Sequence, residues 1–185
     1  MSETNSAAGK GSARSEAFEW ALTLISALLL VVLTFTFLLR TVVVDGDSMN
    51  PTLQDGNMLI ASRLFYTPAF GDIVVITQPN AHGKVLIKRV IATEGQTVFV
   101  DTENDIIYVD GAAVDDSFLG EAMNTSYGNE GPFVVPEGCV YVCGDNRNHS
   151  YDSRSASLGF VRTDYIGGRI VFGLSPFGSG MLYSR

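Results

Sequence analysis

Twenty consecutive residues, Trp20 to Leu39 (WALTLISALLLVVLTFTFLL), carry no charge, and this run constrains the chain more than any other feature. At ~1.5 Å rise per residue it makes a helix of about 30 Å, the thickness of a bilayer's hydrocarbon core. A core helix of a water-soluble domain would carry a polar stripe, and no charge interrupts this one. A cleaved secretory signal would have a shorter apolar region, ~7–15 residues, ending in a small-x-small site. The sequence that follows, RTVVVDGD, offers no such site. The expectation is a single transmembrane helix over residues 19–40. Hydrophobic residues make up 46% of the chain and charged residues 17%, and the excess lies largely in this segment.

Residues 1–18 open with MSETNSAAGKGSARS, small and polar with nothing to bury, and read as a disordered tail. Lys10 and Arg14 favour a cytoplasmic location for it, against the milder opposite pull of Arg40. Residues 41–185 then lie outside the cytoplasm, as one catalytic-sized domain. They carry 17 acidic and nine basic residues, a net of −8, which disfavours nucleic acid as a partner.

Beyond the anchor the sequence is mainly β. Short apolar runs (TVVV, NMLIAS, DIVVIT, KVLIKRVIA, TVFVD, IIYVDG, PFVVP, CVYVCG and GGRIVFGL) alternate with turn signals such as DGD, FGD, PNAHG, EGQ and PEG. The pattern predicts a barrel or folded sheet. Residues 115–131 lack periodicity and read as a surface loop without chemistry, and FVRTDYIGGRI has room for one helical turn before the last strand. Cys139 and Cys143 sit four apart on a strand, about 13 Å along it, beyond the ~7 Å a disulfide tolerates. Two free thiols are expected. With His82 and His149 they reproduce no zinc spacing, so no metal and no cofactor is expected.

The first candidate for chemistry is Ser48, in VVVDGDSMNPTLQDG, where an apolar strand breaks at Gly46 and Pro51 imposes an extended approach just after. A serine at such a bend is ordinarily a turn residue, and as a nucleophile it requires a base. His82 and His149 both lie in polar loops and remain candidates. The chain has three lysines, Lys10, Lys84 and Lys88. On the strand KVLIKRVIA, Lys88 shares a face with Leu86 and Val90, so desolvation should lower its pKa and make it a base. Lys84, at the start of the strand, reads as an edge lysine that discourages aggregation. The cluster GDNRNHSYDSR supplies Asp145, Arg147, Asp152 and Arg154 as architectural ion-pair partners, and Ser150, whose hydroxyl could orient a lysine amine.

These segments together resemble the bacterial type I signal peptidases, membrane-bound serine endopeptidases of peptidase family S26. GDSMNPTL resembles the family's nucleophile motif, GDIVVI its following strand, KRVIATEGQ its lysine strand, and GDNRNHSYDSR its closing motif nearly letter for letter. The resemblance implies Ser48 as nucleophile, Lys88 as base and Ser150 as the hydroxyl that bonds the lysine. It implies Arg89, Asp145, Arg147, Asp152 and Arg154 as structural support. Substrates would be signal peptides of exported preproteins, held as an added strand along Val44, Asp45, Leu86 and Ile87 and cut after Ala-x-Ala-like sites. The fold implied is a β-rich domain whose apolar surface rests on the lipid bilayer. Two departures stand out: the turn after the lysine strand reads ATEGQ in place of Gly-x-Pro-Gly-Asp, and Gly46 replaces the serine some relatives use in the oxyanion hole. Backbone N–H groups of Gly46 and Ser48 are expected to supply that stabilisation. Two rival readings are a self-cleaving repressor with the same serine and lysine pair, disfavoured by the anchor and the lack of a DNA-binding helix pair, and a non-enzymatic surface-assembly domain.

Overall fold

The structure is a computed structural model that describes residues 7–37, 39–116, 119, 123, 130–175 and 178–180. It divides into two compact units, Met1–Leu39 and Arg40–Arg185.

The first unit is one helix, α1 (Ala7–Phe37). Within it Ser15–Thr34 is long and apolar enough to cross a membrane, and no part of that stretch is buried by protein. Two of its hydroxyls turn back onto the helix: Thr23 donates to the Glu19 carbonyl at 2.9 Å and Thr34 to the Leu30 carbonyl at 2.8 Å. This satisfies polar groups that hydrocarbon could not solvate. Both ends differ from expectation. The helix starts at Ala7, inside the stretch read as a disordered tail, because Ala7, Ala8, Lys10, Ala13 and Arg14 are strong helix formers that prolong it. It ends at Phe37, and Leu39 and Arg40 belong to the first strand, where the β-branched run from Thr41 to Val44 takes over.

The second unit is mainly β. Its strands are β1 (Leu39–Val43), β2 (Met58–Ser62), β3 (Ile73–Ile76), β4 (Leu86–Thr93), β5 (Thr97–Asp101) and β6 (Ile106–Val109). They continue with β7 (Ala112–Ala113), β8 (Phe133–Val134), β9 (Cys139–Cys143), β10 (Val161–Arg162), β11 (Ile166–Ser175) and β12 (Gly178–Gly180). An eight-stranded sheet runs β1-β2-β11-β3-β4-β9-β10, with β12 paired to β11, and a four-stranded sheet runs β7-β6-β5-β8. The single turn of 3-10 helix at Thr163–Tyr165 precedes β11, in the place the sequence left for it. Of the two- and three-residue strands, β8 falls within the apolar run PFVVP, whereas β7, β10 and β12 fall in none of the runs the sequence shows and were invisible in it.

Two features of the large sheet position the site. First, among the described residues β1 stands at the end of the sheet, so one side of its backbone has no partner strand. Second, β4 is interior: it pairs with β3 from Leu86 through Arg89 and with β9 only from Arg89 onward. Among the described residues, Leu86 to Lys88 thus have a partner on the β3 side and an opening on the other. The strand starts at Leu86, so Lys84 lies outside it, and the edge-strand role expected for Lys84 does not hold. Val44, Met49, Leu53, Leu59, Ile73 and Ile87 pack into one apolar cluster beneath this opening, which fixes the chain on either side of Ser48 to the sheet.

Candidate active site

Ser48 is presented by a turn that its own backbone closes. Asn50 N–H donates to the Asp47 carbonyl at 3.0 Å and Leu53 N–H to the Met49 carbonyl at 2.9 Å. Met49 and Leu53, 1% and 2% exposed, pin this turn into the core. The expected extended approach at Pro51 is therefore absent: residues 48–52 form turns, closed by these two bonds, with a cis Asn50–Pro51 peptide.

The turn sets Ser48 over β4, where Lys88 Nζ lies 2.7 Å from Ser48 Oγ and donates also to the Ile87 carbonyl at 2.8 Å. Lys88 is 2% exposed. Burial pulls its pKa from 10.5 down to about 8, and Arg154 pushes the same way; Asp152, Cys143 and Asp145 pull back without restoring it. An amine with that pKa is neutral in a useful fraction of molecules near neutral pH. Lying within hydrogen-bond reach of a hydroxyl, it is able to take that hydroxyl's proton.

The turn after β9 closes around the pair. Asn146 N–H donates to the Ser48 carbonyl at 3.0 Å, tying the serine's backbone to this turn. A β-carbon added at Gly144 would strike both the Ser48 carbonyl and the Ser150 hydroxyl, so only glycine allows the two segments to come this close. Gly144 N–H in turn donates to Asp152 Oδ2 at 3.0 Å. Asp152 is held by Arg154 in a paired contact, 2.9 Å to Oδ1 and 2.8 Å to Oδ2. Burial alone would raise the Asp152 carboxyl, but Arg154, Gly144 N–H and the Ser150 hydroxyl keep it below its ordinary value. Arg89 grips Asp145 through Nε at 2.8 Å and through its terminal nitrogen at 2.6 Å, and donates to the Gly71 carbonyl at 2.8 Å. These buried pairs fix geometry more than they add stability.

The chain matches the family model described as signal peptidase, peptidase S26, over residues 17–174. The chain belongs to this family. It is a serine endopeptidase of the signal peptidase class. Signal peptidase I of Bacillus licheniformis is 35% identical over 176 residues, covering 89% of this chain and 91% of that protein. That of Bacillus amyloliquefaciens is 36% identical over 178 residues, 91% and 93% of the two chains, and signal peptidase I S of Bacillus subtilis is 33% identical over 177 residues, 90% and 93%. A crystal structure of a signal peptidase I from Enterococcus faecalis V583 is 28% identical, with a TM-score of 0.44, covering 56% of this chain and 97% of that one.

In this signal peptidase fold the open side of β1 and the opening beside Leu86–Lys88 face each other across a cleft of about 280 Å³, lined by Val42 to Asp45, Ser48, Met49 and Lys84 to Lys88. Val44, Asp45, Leu86 and Ile87 all line it. Gly46 requires a correction. Its N–H donates to Asp55 Oδ1 at 2.8 Å, so that donor is already committed and does not serve an oxyanion; with φ at +95°, Gly46 makes the bend instead. His82 is exposed and packs edge-on against Tyr151, ring centroids 4.4 Å apart, and His149 is exposed with its N–H bonded to the Asn146 carbonyl at 3.1 Å.

Two residues with structural roles were missed by the sequence reading, in the segment to which it assigned no chemistry. Asp116 pairs with Arg147 at 2.7 Å, and Met123 is buried in the cluster with Ile91, Val98, Tyr141 and Cys143. Most of 115–131 lies outside the described residues, and no periodicity marked these two. The adjacent aspartates Asp115 and Asp116, left unassigned in a run without periodicity, were the one available signal. Cys139 and Cys143 are both free thiols; burial lifts Cys143 to about 12, so it is a packing residue rather than a nucleophile.

Proposed function

We propose that this enzyme cleaves signal peptides from exported preproteins after Ala-x-Ala-like sites, with Ser48 as nucleophile and Lys88 as general base. The observation that carries the reading is the 2.7 Å contact between Ser48 Oγ and a buried Lys88 amine whose pKa falls to about 8. The substrate lies extended in the cleft and adds a strand between β1 and the open side of β4, its small side chains directed at Val44, Met49 and Ile87.

Neutral Lys88 takes the Ser48 proton as Oγ bonds to the scissile carbonyl carbon, and the carbonyl oxygen becomes an oxyanion. The Ser48 N–H serves it as a donor. Collapse of this tetrahedral species breaks the C–N bond, and the Lys88 ammonium returns its proton to the leaving amine. Lys88, neutral again, deprotonates a water that attacks the ester, and the released Ser48 oxygen recovers a proton from it. The Ile87 carbonyl directs the amine toward Oγ, and Ser150, placed against Gly144 and Asp152, acts on the lysine as a positioning residue. Arg89, Asp145, Arg147, Asp152 and Arg154 hold the walls. No metal or cofactor enters these steps. The helix fits membrane anchoring, and Lys10 and Arg14 orient it with the N-terminus in the cytoplasm and the catalytic domain outside.

The test is cleavage of a fluorogenic peptide containing Ala-x-Ala by the full-length protein in detergent micelles, beside its Ser48→Ala variant. Cleavage by the parent and its loss in the variant are expected. Undiminished cleavage by Ser48→Ala would remove Ser48 as nucleophile.

A further inference from the structure

One ion pair at the cleft takes no part in the chemistry above. Lys84 Nζ donates to Asp45 Oδ2 at 2.9 Å, with the side chains 65% and 78% exposed. Asp45 lies two residues past β1 and Lys84 two residues before β4, and both line the cleft that holds Ser48 and Lys88. The pair therefore bridges the two walls between which an extended substrate has to lie.

Neither wall depends on this bridge. The Asp45 end is fixed by Val44 N–H on the Asn57 carbonyl at 2.9 Å, Gly56 N–H on the Val44 carbonyl at 3.0 Å and Gly46 N–H on Asp55. The Lys84 end is fixed by Asn80, whose side-chain amide donates to the Lys84 carbonyl at 2.7 Å and whose Oδ1 accepts from His82 N–H at 3.0 Å. An ion pair this exposed contributes little to stability, and opening it costs correspondingly little. The buried pairs Arg89–Asp145 and Arg154–Asp152 are of the opposite kind.

An extended chain alternates its side chains. Those aimed at Val44, Met49 and Ile87 meet buried apolar surface, and those between them face the solvent side of the cleft, where the two charges sit. We infer that Asp45 and Lys84 determine specificity by reading the charge of the substrate side chains two and four positions before the cut. A basic side chain there takes over Asp45, an acidic one takes over Lys84, and the bridge opens in either case. This deepens the peptidase reading of the cleft and rests on it.

The experiment uses fluorogenic peptides identical except for Lys, Gln or Glu at those positions, cleaved by the full-length parent, Asp45→Asn and Lys84→Gln in detergent micelles. Each enzyme gives its own ratio of kcat/KM for the Lys peptide over the Glu peptide, so differences in active fraction cancel. Asp45→Asn is expected to lower the ratio and Lys84→Gln to raise it, each about three- to fivefold, through KM, with the shifts shrinking at high salt. Lys84→Glu should raise it further. Ratios identical across the enzymes would overturn this inference alone. Failure of the parent to cleave the Gln peptide would overturn the peptidase reading, and the inference with it.

Discussion

As the proposed base, Lys88 has to be neutral to accept a proton, and burial more than any neighbouring cation lowers its pKa toward that state. With its pKa near 8, about one amine in ten is neutral at pH 7 and half are neutral at pH 8. The expected kcat/KM on a short peptide therefore rises through pH 8 and levels off above about pH 9. A profile flat from pH 6 to 10 would count against Lys88 as base. Stability follows with a definite sign. The folded pKa lies below the unfolded value of 10.5, so the unfolded chain binds more protons between the two. The penalty for burying Lys88 is full below about pH 8 and disappears as pH rises to 10.5. Lys88→Met should abolish cleavage yet unfold at higher urea at pH 7, by about 1–2 kcal/mol, with the gain gone by pH 10.5. Leu86 and Val90, sharing a face with Lys88 by alternation, made its desolvation legible in the sequence. The Ile87 carbonyl that aims the amine and the Asn146 N–H that holds Ser48 were not legible, because backbone contacts depend on register and leave no residue-type signature.

At the scale of elements, the site exists because β9 stops pairing with β4 at Arg89 and its turn folds back over Ser48. Gly144 is where the two segments touch. Gly144→Ala would push the Ser48 carbonyl away from its place over β4, and a shift of about 1 Å in a reacting group costs on the order of 100-fold in rate. Single-turnover cleavage should fall at least about tenfold while circular dichroism still reports a folded β domain; full activity would mean that the turn adjusts without moving Ser48. Arg89 tests the frame below it. Arg89→Met leaves Asp145, 2% exposed, without its bidentate partner, and should destabilise the domain by about 3–5 kcal/mol. Arg89→Met combined with Asp145→Leu should recover much of that loss in denaturant unfolding. The long strands of this frame were legible as apolar runs, as was the short β8 within PFVVP, whereas β7, β10 and β12 lie in no such run and were not. The turn at Ser48 was misread at Pro51, since a proline restrains its neighbours without stating which turn the core will close.

For the whole molecule, the uncharged run and the β-rich remainder declared two parts at once, whereas the strand order, in which β11 inserts between β2 and β3, depends on long-range pairing that no local pattern encodes. Among the described residues, the three apolar clusters of the β unit are built from residues from Val42 onward. A chain beginning at Leu39 should therefore fold and should cleave a short soluble peptide in detergent within about fivefold of the full-length enzyme. Cleavage of a preprotein inserted in vesicles is a different demand. There the anchor confines enzyme and substrate to one surface, and such confinement raises effective concentration by about 10²–10⁴ without a new contact. Processing in vesicles should drop by a factor in that range for the truncated chain, while its peptide kinetics stay close to those of the parent. Equal loss on both substrates would mean that α1 supports the fold of the β unit. Equal retention on both would mean that the β unit reaches the membrane without its helix.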